Sequence, residues 1–248
     1  MPKTILLATI HRLTPGLLTT KELATITHTF SESFLTVSDK TDQQVVAMLS
    51  QFDNIHVRVI PAKGAGDARR QVVRFATETS KISDDHYLYC DFDKILVMLA
   101  QVPAALPQLI ADTSDIPGYC CVERSATAMK SYPWTWTETE KLTNAVAAAY
   151  FGLPQLDITS GCAMFSDAAL RLINRFSQEP MTDAEWPLIC AMHQVPVNRV
   201  VTNGIPYSAT VDNLERDNQP AALIPRLRLA YQITNSFVSV PERFSSVD

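Results

Sequence analysis

Positive charge is in short supply in this chain. Its 21 lysines and arginines face 26 aspartates and glutamates, so the 248 residues carry a net charge of −5. A surface of that sign does not gather nucleic acid or anionic membrane by long-range attraction, and neither is expected as a partner. Paired cysteines are missing too. Cys90, Cys120, Cys121, Cys162 and Cys190 form no C-x-x-C, and most sit in apolar runs such as GYCCV and GCAMF. That argues against a zinc site and for reduced core thiols in a reducing compartment, so a cytoplasmic location is expected. No stretch approaches the length of a membrane-spanning helix, about 20 apolar residues. The apolar run in MPKTILLATIHR is too short for a secretory leader with a small-residue cleavage site. Both glycine-rich phosphate signatures are absent: GAGDARR lacks the G-K-[ST] ending of a P-loop and does not complete G-x-G-x-x-G.

What is present suffices for a sizeable core, with 46% hydrophobic against 19% charged residues. No repeat, low-complexity segment or linker interrupts it, so residues 1–248 read as one domain. The first part, 1–98, alternates strand and helix signals. TILLATI is a short apolar run and hence a buried strand. Thr19 and Glu22 have the spacing of a capping box, for a helix running to about Phe34. FLTVSD is a second strand. Thr41 and Gln44 repeat the capping-box spacing before a helix with Val45, Val46, Met48 and Leu49 on its apolar face. IHVRVIPA is a third strand, GAGDARRQVVRFATET a helix opened by a glycine-containing turn, and YLYCDFD a fourth strand. Such an order needs crossover connections, which predicts an α/β fold with a mainly parallel central sheet and helices on both faces. Ligands of these sheets bind outside the carboxyl ends of the strands. Thr9 to Arg12, Ser38 and Asp39, the turn from Lys63 to Arg70, and Asp91 to Lys94 should therefore share one rim.

The remainder, 99–248, is less regular. PGYCCVER and DITSGCAMFS read as strands, and WTWTETEKLTNAVAAAYFG holds a helix beginning near Thr137. Helices follow from Asp167 to about Phe176 and from TDAEWPLICAMH. A late strand lies in VPVNRVVTNGIPYS, and LIPRLRLAYQITNSF forms a terminal amphipathic helix.

Asp91 and Asp93 form the one D-x-D of the sequence, where an apolar strand ends. In extended chain residues i and i+2 project to one side, so both carboxylates could share a hard cation such as Mg²⁺ or Mn²⁺, with positions left for substrate phosphates. The alternative has Asp93 capping the next turn and Asp91 paired with an arginine. Behind Gly66, Arg69 and Arg70 lie in the first turns of a helix, where they and the backbone N–H groups suit phosphate or nucleoside contact. Neighbours on a helix point apart, so one of the two arginines faces the ligand; the competing role is a solvated basic face with Arg74. His11 and Arg12, on the rim beside Thr9, suit base stacking or phosphate binding, or else helix entry. In YPWTWTETE, Trp136 and Glu138 suit an acceptor sugar, whose C–H faces stack on rings while its hydroxyls take hydrogen bonds. The Thr137–Glu140 spacing there is that of a capping box. Thr182 and Glu185 in TDAEWP have the same spacing, which leaves Asp183 unexplained.

A βαβαβα half that ends in an apolar strand and CDFD resembles the GT-A fold of nucleotide-sugar glycosyltransferases, over most of residues 4–205. Three further places are similar: Asp39 at the end of the second strand, GAGDARR before the D-x-D strand, and TDAEW downstream of it. The resemblance implies a nucleotide-binding half, 1–98, and an acceptor and catalytic half, 99–248. It implies Mg²⁺ or Mn²⁺ held by Asp91 and Asp93 on the diphosphate of a nucleotide-sugar donor. Thr9, His11, Arg12, Asp39, Gly66, Arg69, Arg70 and Asp91 would contact that donor. Trp136, Glu138, Asp157 and Ser160 would contact an acceptor, and Asp183 or Glu185 would deprotonate its hydroxyl. In place of the adjacent Glu-Asp of inverting members the chain has Asp183-x-Glu185, so either carboxylate qualifies as base. No histidine is obvious for a third metal position, and His193 has the neighbours of a core residue. Two alternatives stay open: a haloacid-dehalogenase-like phosphatase with Asp91 as nucleophile, and a non-catalytic relative that binds a sugar nucleotide or a partner. A homo-oligomer is compatible with all three.

Overall fold

The computed structural model describes residues 4–79, 86–208 and 214–245. Its first half runs β1 (Thr4–Ile10), α1 (Thr20–Thr29), β2 (Glu32–Ser38), α2 (Gln43–Leu49), β3 (Ile55–Ile60), α3 (Ala65–Thr79), β4 (His86–Cys90), α4 (Phe92–Gln101) and α5 (Ala105–Thr113). The second half runs β5 (Tyr119–Arg124), α6 (Ala126–Met129), α7 (Trp134–Phe151), β6 (Cys162–Ser166), α8 (Asp167–Phe176), α9 (Thr182–Met192), β7 (Val197–Thr202), α10 (Leu214–Asp217) and α11 (Leu223–Ser245). The seven strands among the described residues join one sheet in the order β3-β2-β1-β4-β6-β5-β7. Six run in one direction, and β6 alone is antiparallel to both of its neighbours, β4 and β5. The fold is thus α/β with a mainly parallel sheet.

Side chains alternate across the sheet, and each face buries its own core. Ile5, Leu7, Tyr87 and Tyr89 face α3, α7, α8, α9 and α11. Leu6, Ala8, Leu88 and Cys90 face α1, α2, α4 and α5. The five cysteines are buried free thiols, and burial pushes Cys120 and Cys190 up to about 12. Among the described residues no single helix is long and apolar enough to cross a membrane.

Several boundaries differ from the sequence expectation. The Thr19–Glu22 capping box forms, but α1 stops at Thr29 rather than near Phe34. Phe34 is fully buried in β2 opposite Leu7. Asp42, not Thr41, caps α2 by accepting the Gln44 N–H, while Thr41 Oγ1 accepts from the Arg12 N–H. Helix α7 begins at Trp134 behind Pro133, so Thr137 and Glu140 lie inside it and form no cap. Thr182 is likewise inside α9, whose N-cap is Met181.

Candidate active site

The carboxyl ends of β1 to β4 open into a cavity of about 740 Å³. It is lined by Thr9, His11 and Arg12 after β1, by Ser38 and Lys40 after β2, by the turn from Pro61 to Ala65 after β3, and by Asp91 and Asp93 after β4. The four rim segments therefore meet. The backbone of Arg12 turns through φ 55°, a left-handed conformation uncommon for a side-chain-bearing residue. That turn directs its N–H to Thr41 Oγ1 at 3.1 Å. His11 Nδ1 lies 2.9 Å from Ser38 Oγ. Asp39 does not line the cavity itself. Its N–H donates to the Ile60 carbonyl and its carboxylate accepts the Ala62 N–H at 3.2 Å, so it pins the β3 turn to the end of β2.

The D-x-D is not two residues of extended chain. β4 stops at Cys90; Asp91 occupies the N-cap position of α4, and Asp93 lies in its first turn. Asp91 continues the alternation of Tyr87 and Tyr89 and so faces α3. There Arg69 Nη2 donates to Asp91 Oδ2 at 2.9 Å, and Arg69 Nη1 donates to Asp183 Oδ2 at 2.8 Å and Thr182 Oγ1 at 3.1 Å. The other oxygen of Asp91 accepts from Tyr89 OH and, at 3.4 Å, from Thr9 Oγ1. One buried guanidinium thus ties the D-x-D to the first turn of α9. Burial works against the Arg69 charge, but Asp183 and Asp91 outweigh it and hold its pKa well above the usual value. Burial would raise Asp91, yet Arg69 and the Tyr89 hydroxyl bring it below its ordinary value. Burial pushes the Tyr89 phenol well above its own. Asp93, 32% exposed, pairs with Lys94 at 3.3 Å.

Gly161 completes this corner. Its carbonyl accepts the Asp91 N–H at 3.0 Å, its φ is 73°, and a Cβ there would lie 2.7 Å from Asp91 Oδ2. Only glycine meets both demands.

A second cavity, of about 390 Å³, shares Ala65, Asp91 and Asp93 with the first and extends toward the later elements. Arg69, Lys94, Trp136, Ser160, Asp183 and Arg226 are among its walls. Its floor is Arg124, at the carboxyl end of β5. Arg124 donates to both Asp157 oxygens at 2.8 Å, to Glu140 at 2.7 Å and to Thr159 at 2.9 Å. Burial opposes its charge, but the Asp157 and Glu140 carboxylates raise its pKa well above the usual value. Asp157 is lowered, since Arg124 outweighs burial, whereas Glu140 is raised because burial wins there. The Arg226 guanidinium lies 3.2 Å above the Trp136 ring, and its Nη2 is 3.5 Å from Glu140.

The remaining candidates lie away from these two cavities. Arg70 donates to the Glu179 carbonyl, and Gly66 packs so tightly that a Cβ would meet the Pro180 carbonyl oxygen at 2.1 Å. Both join α3 to the 179–180 segment and line neither cavity. Glu138 and Asp157 line a separate cavity of about 620 Å³ beyond Arg124. Glu185 is fully buried and accepts from Gln178 N–H at 2.6 Å, Glu179 N–H at 2.9 Å and Ser177 Oγ at 2.5 Å. His193 stacks on Phe176 at 4.7 Å, with Nδ1 2.9 Å from the Ile189 carbonyl.

Among the described residues no three His, Cys, Asp or Glu side chains gather into a metal cage. The donor set still fits a cation shared with a ligand, because Mg²⁺ binds through one or two carboxylates and fills its shell with substrate phosphates and water. Asp93 stands where the two cavities meet, and Asp91 is its neighbour there.

No family model matches the sequence, and a search of curated proteins finds no match. Solved structures do match in shape. Glucosyl-3-phosphoglycerate synthase of Mycobacterium tuberculosis, in complex with phosphoglyceric acid, superposes with a TM-score of 0.57 at 14% identity, over 96% of this chain and 79% of that one. The same enzyme in complex with Mn²⁺, uridine diphosphate and phosphoglyceric acid gives 0.55 at 14% identity, over 96% and 78%. A third structure of that synthase gives 0.55 at 15%, over 96% and 80%. With so little shared sequence the likeness is one of architecture alone: the chain has a GT-A-like α/β fold.

Proposed function

We propose that this chain is a glycosyltransferase that takes a sugar from a nucleotide-diphosphate donor to an acceptor hydroxyl. The observation that carries the reading is the pair of cavities meeting at Asp91 and Asp93. One cavity has the strand-end position of a nucleotide site, and the other has the ring and charged groups of a sugar and acceptor site. A glycosyltransferase-type fold that binds Mn²⁺ and uridine diphosphate in a structural neighbour is consistent with it.

In this reading the nucleotide lies among Thr9, His11, Arg12 and the Lys63–Ala65 turn, and Asp39 shapes that turn rather than touching the ligand. Asp93, with Asp91 beside it, would hold Mg²⁺ or Mn²⁺, which neutralises charge on the departing diphosphate. Lys94 lies beside the same phosphates. Arg69 fixes Asp91 and Asp183 at a set separation. The acceptor rests against Trp136 and Ser160, and its hydroxyl proton passes to the Asp183 carboxylate. Asp183 suits that step better than Glu185, which has no opening to either cavity. Asp91 is a poor phosphatase nucleophile, since both of its oxygens are bound.

The test is thermal stabilisation by UDP-, GDP-, ADP- and CMP-sugars, with and without Mn²⁺, on wild type and Asp93→Asn, followed by donor hydrolysis. The expected result is stabilisation by one nucleotide class that needs the metal and is lost in Asp93→Asn. Hydrolysis of a generic phosphate ester with no nucleotide response would replace the reading with the phosphatase. Nucleotide binding with neither donor hydrolysis nor sugar transfer would make the chain a binding protein.

A further inference from the structure

Helices α7 and α11 line the second cavity with their inner faces and turn an unusual surface outward. On α7, Leu142, Ala145, Val146, Ala149 and Tyr150 are all exposed. Their spacing of i, i+3, i+4, i+7, i+8 is the stripe a helix normally buries. On α11, Ile224, Leu227, Tyr231 and Val238 are 59%, 52%, 69% and 55% exposed. Three of these recur every seven residues with Leu227 between them, so they form one narrow line along the helix, the seam by which one helix packs on another. The two helices run side by side in the same sense, since Trp136 meets Arg226 near their starts and Tyr150 meets Phe237 farther along. The stripes are therefore parts of one face.

Charge is sparse on that face: no Asp, Glu, Lys or Arg occurs from Leu142 to Phe151 or from Leu229 to Pro241, and the exposed Arg228 follows Leu227 at its amino-terminal end. From residues of this size, the exposed fractions leave roughly 800 Å² of accessible surface, most of it apolar, against the roughly 800 Å² that each partner brings to a standard interface. A face so poor in charge meets little like-charge repulsion from its own copy, and a two-fold interface needs a self-complementary patch. We propose that the outer face of α7 and α11 pairs two copies of this chain, with the Ile224–Leu227–Tyr231–Val238 seam of one lying on that of the other. The acceptor-side wall, Trp136 and Arg226 included, would then be braced from behind by a second subunit.

Sedimentation velocity over a wide concentration series tests this on wild type, on Leu227→Glu/Tyr231→Glu, and on Val59→Glu. Val59 is 54% exposed on the edge strand β3, far from the seam in the sheet order. The expected result is a two-copy mass for wild type and Val59→Glu, and a one-copy mass with unchanged circular dichroism for the double variant. Wild type at one-copy mass throughout would overturn the proposal, as would a dimer that survives the double substitution or one that Val59→Glu dissociates. Flotation of one-copy wild type with phosphatidylglycerol vesicles would reassign the face to a membrane surface and equally overturn it.

Discussion

The two cavities share Asp91 and Asp93 but are built by different means. The first is made at strand ends, from turns within a few residues of an apolar run: His11 on Ser38, Asp39 on the Ala62 N–H, Arg12 on Thr41. The second is made by buried ions reaching across the chain. Arg124 binds Glu140 and Asp157, and Arg69 binds Asp183, 114 residues away. A wall of turns tolerates loss of one side chain, because water replaces its partner. A wall of buried ions does not, because each charge is stable only while its counter-ion remains.

Removing Arg124 should show this contrast most sharply. Arg124→Met leaves Asp157 buried without its cation and Glu140 with Arg226 alone, and should cost about 3–5 kcal/mol, read as a lowered urea midpoint. Gly161→Ala comes next, at roughly 1–3 kcal/mol for a left-handed residue with a side chain. It should also displace Asp91 and weaken metal-dependent donor binding; unchanged binding would mean that Asp91 can move without consequence. The acceptor-side ions also predict opposite responses to pH. The Asp91 and Asp157 contributions are full above pH 3.8, their ordinary value, and fade as pH falls through their lowered folded values. Glu140 acts in reverse: its raised pKa favours the protonated form in the fold, so stability should fall as pH rises from 4.5 through its folded value. Unfolding free energies across that window should slope downward for wild type relative to Glu140→Gln, and parallel curves would refute the assignment. The smallest effect belongs to the first cavity. Asp39→Asn should change stability by no more than about 0.5 kcal/mol while weakening nucleotide binding several-fold, as measured by calorimetry.

The same contrast governs what could be read from the sequence. TILLATI, IHVRVIPA and YLYC announce buried strands by composition, and counting crossovers locates their ends, so the fold class and the four rim segments are legible. The local geometry at those ends is not. The D-x-D looks like extended chain until Cys90 closes the strand and α4 starts, and the Thr137–Glu140 spacing looks like a cap until Glu140 is seen on Arg124. Arg124 was within reach: it ends a strand, PGYCCVER, that is parallel to β1–β4 in direction, and the rule that marked Asp91 applies to it as well. Gly161 and Arg226 carry no such signal. Their places depend on how β6 pairs and how α11 returns to α7, which are long-range packing outcomes.

The reversal of β6 has an engineering consequence. Because that strand alone begins at the shared rim, the segment before it is a short insert with both ends fastened: Gly152 closes α7 at φ 65° and Gly161 opens the approach to β6 at φ 73°. Residues 153–160 can thus be treated as a cassette, provided that Leu156 and Ile158 keep their places in the core. One polar position within it is equally fixed. A grafted loop must deliver a carboxylate where Asp157 now stands, or the guanidinium of Arg124 beneath it becomes a buried orphan and the graft fails as a fold before it can be judged as a catalyst.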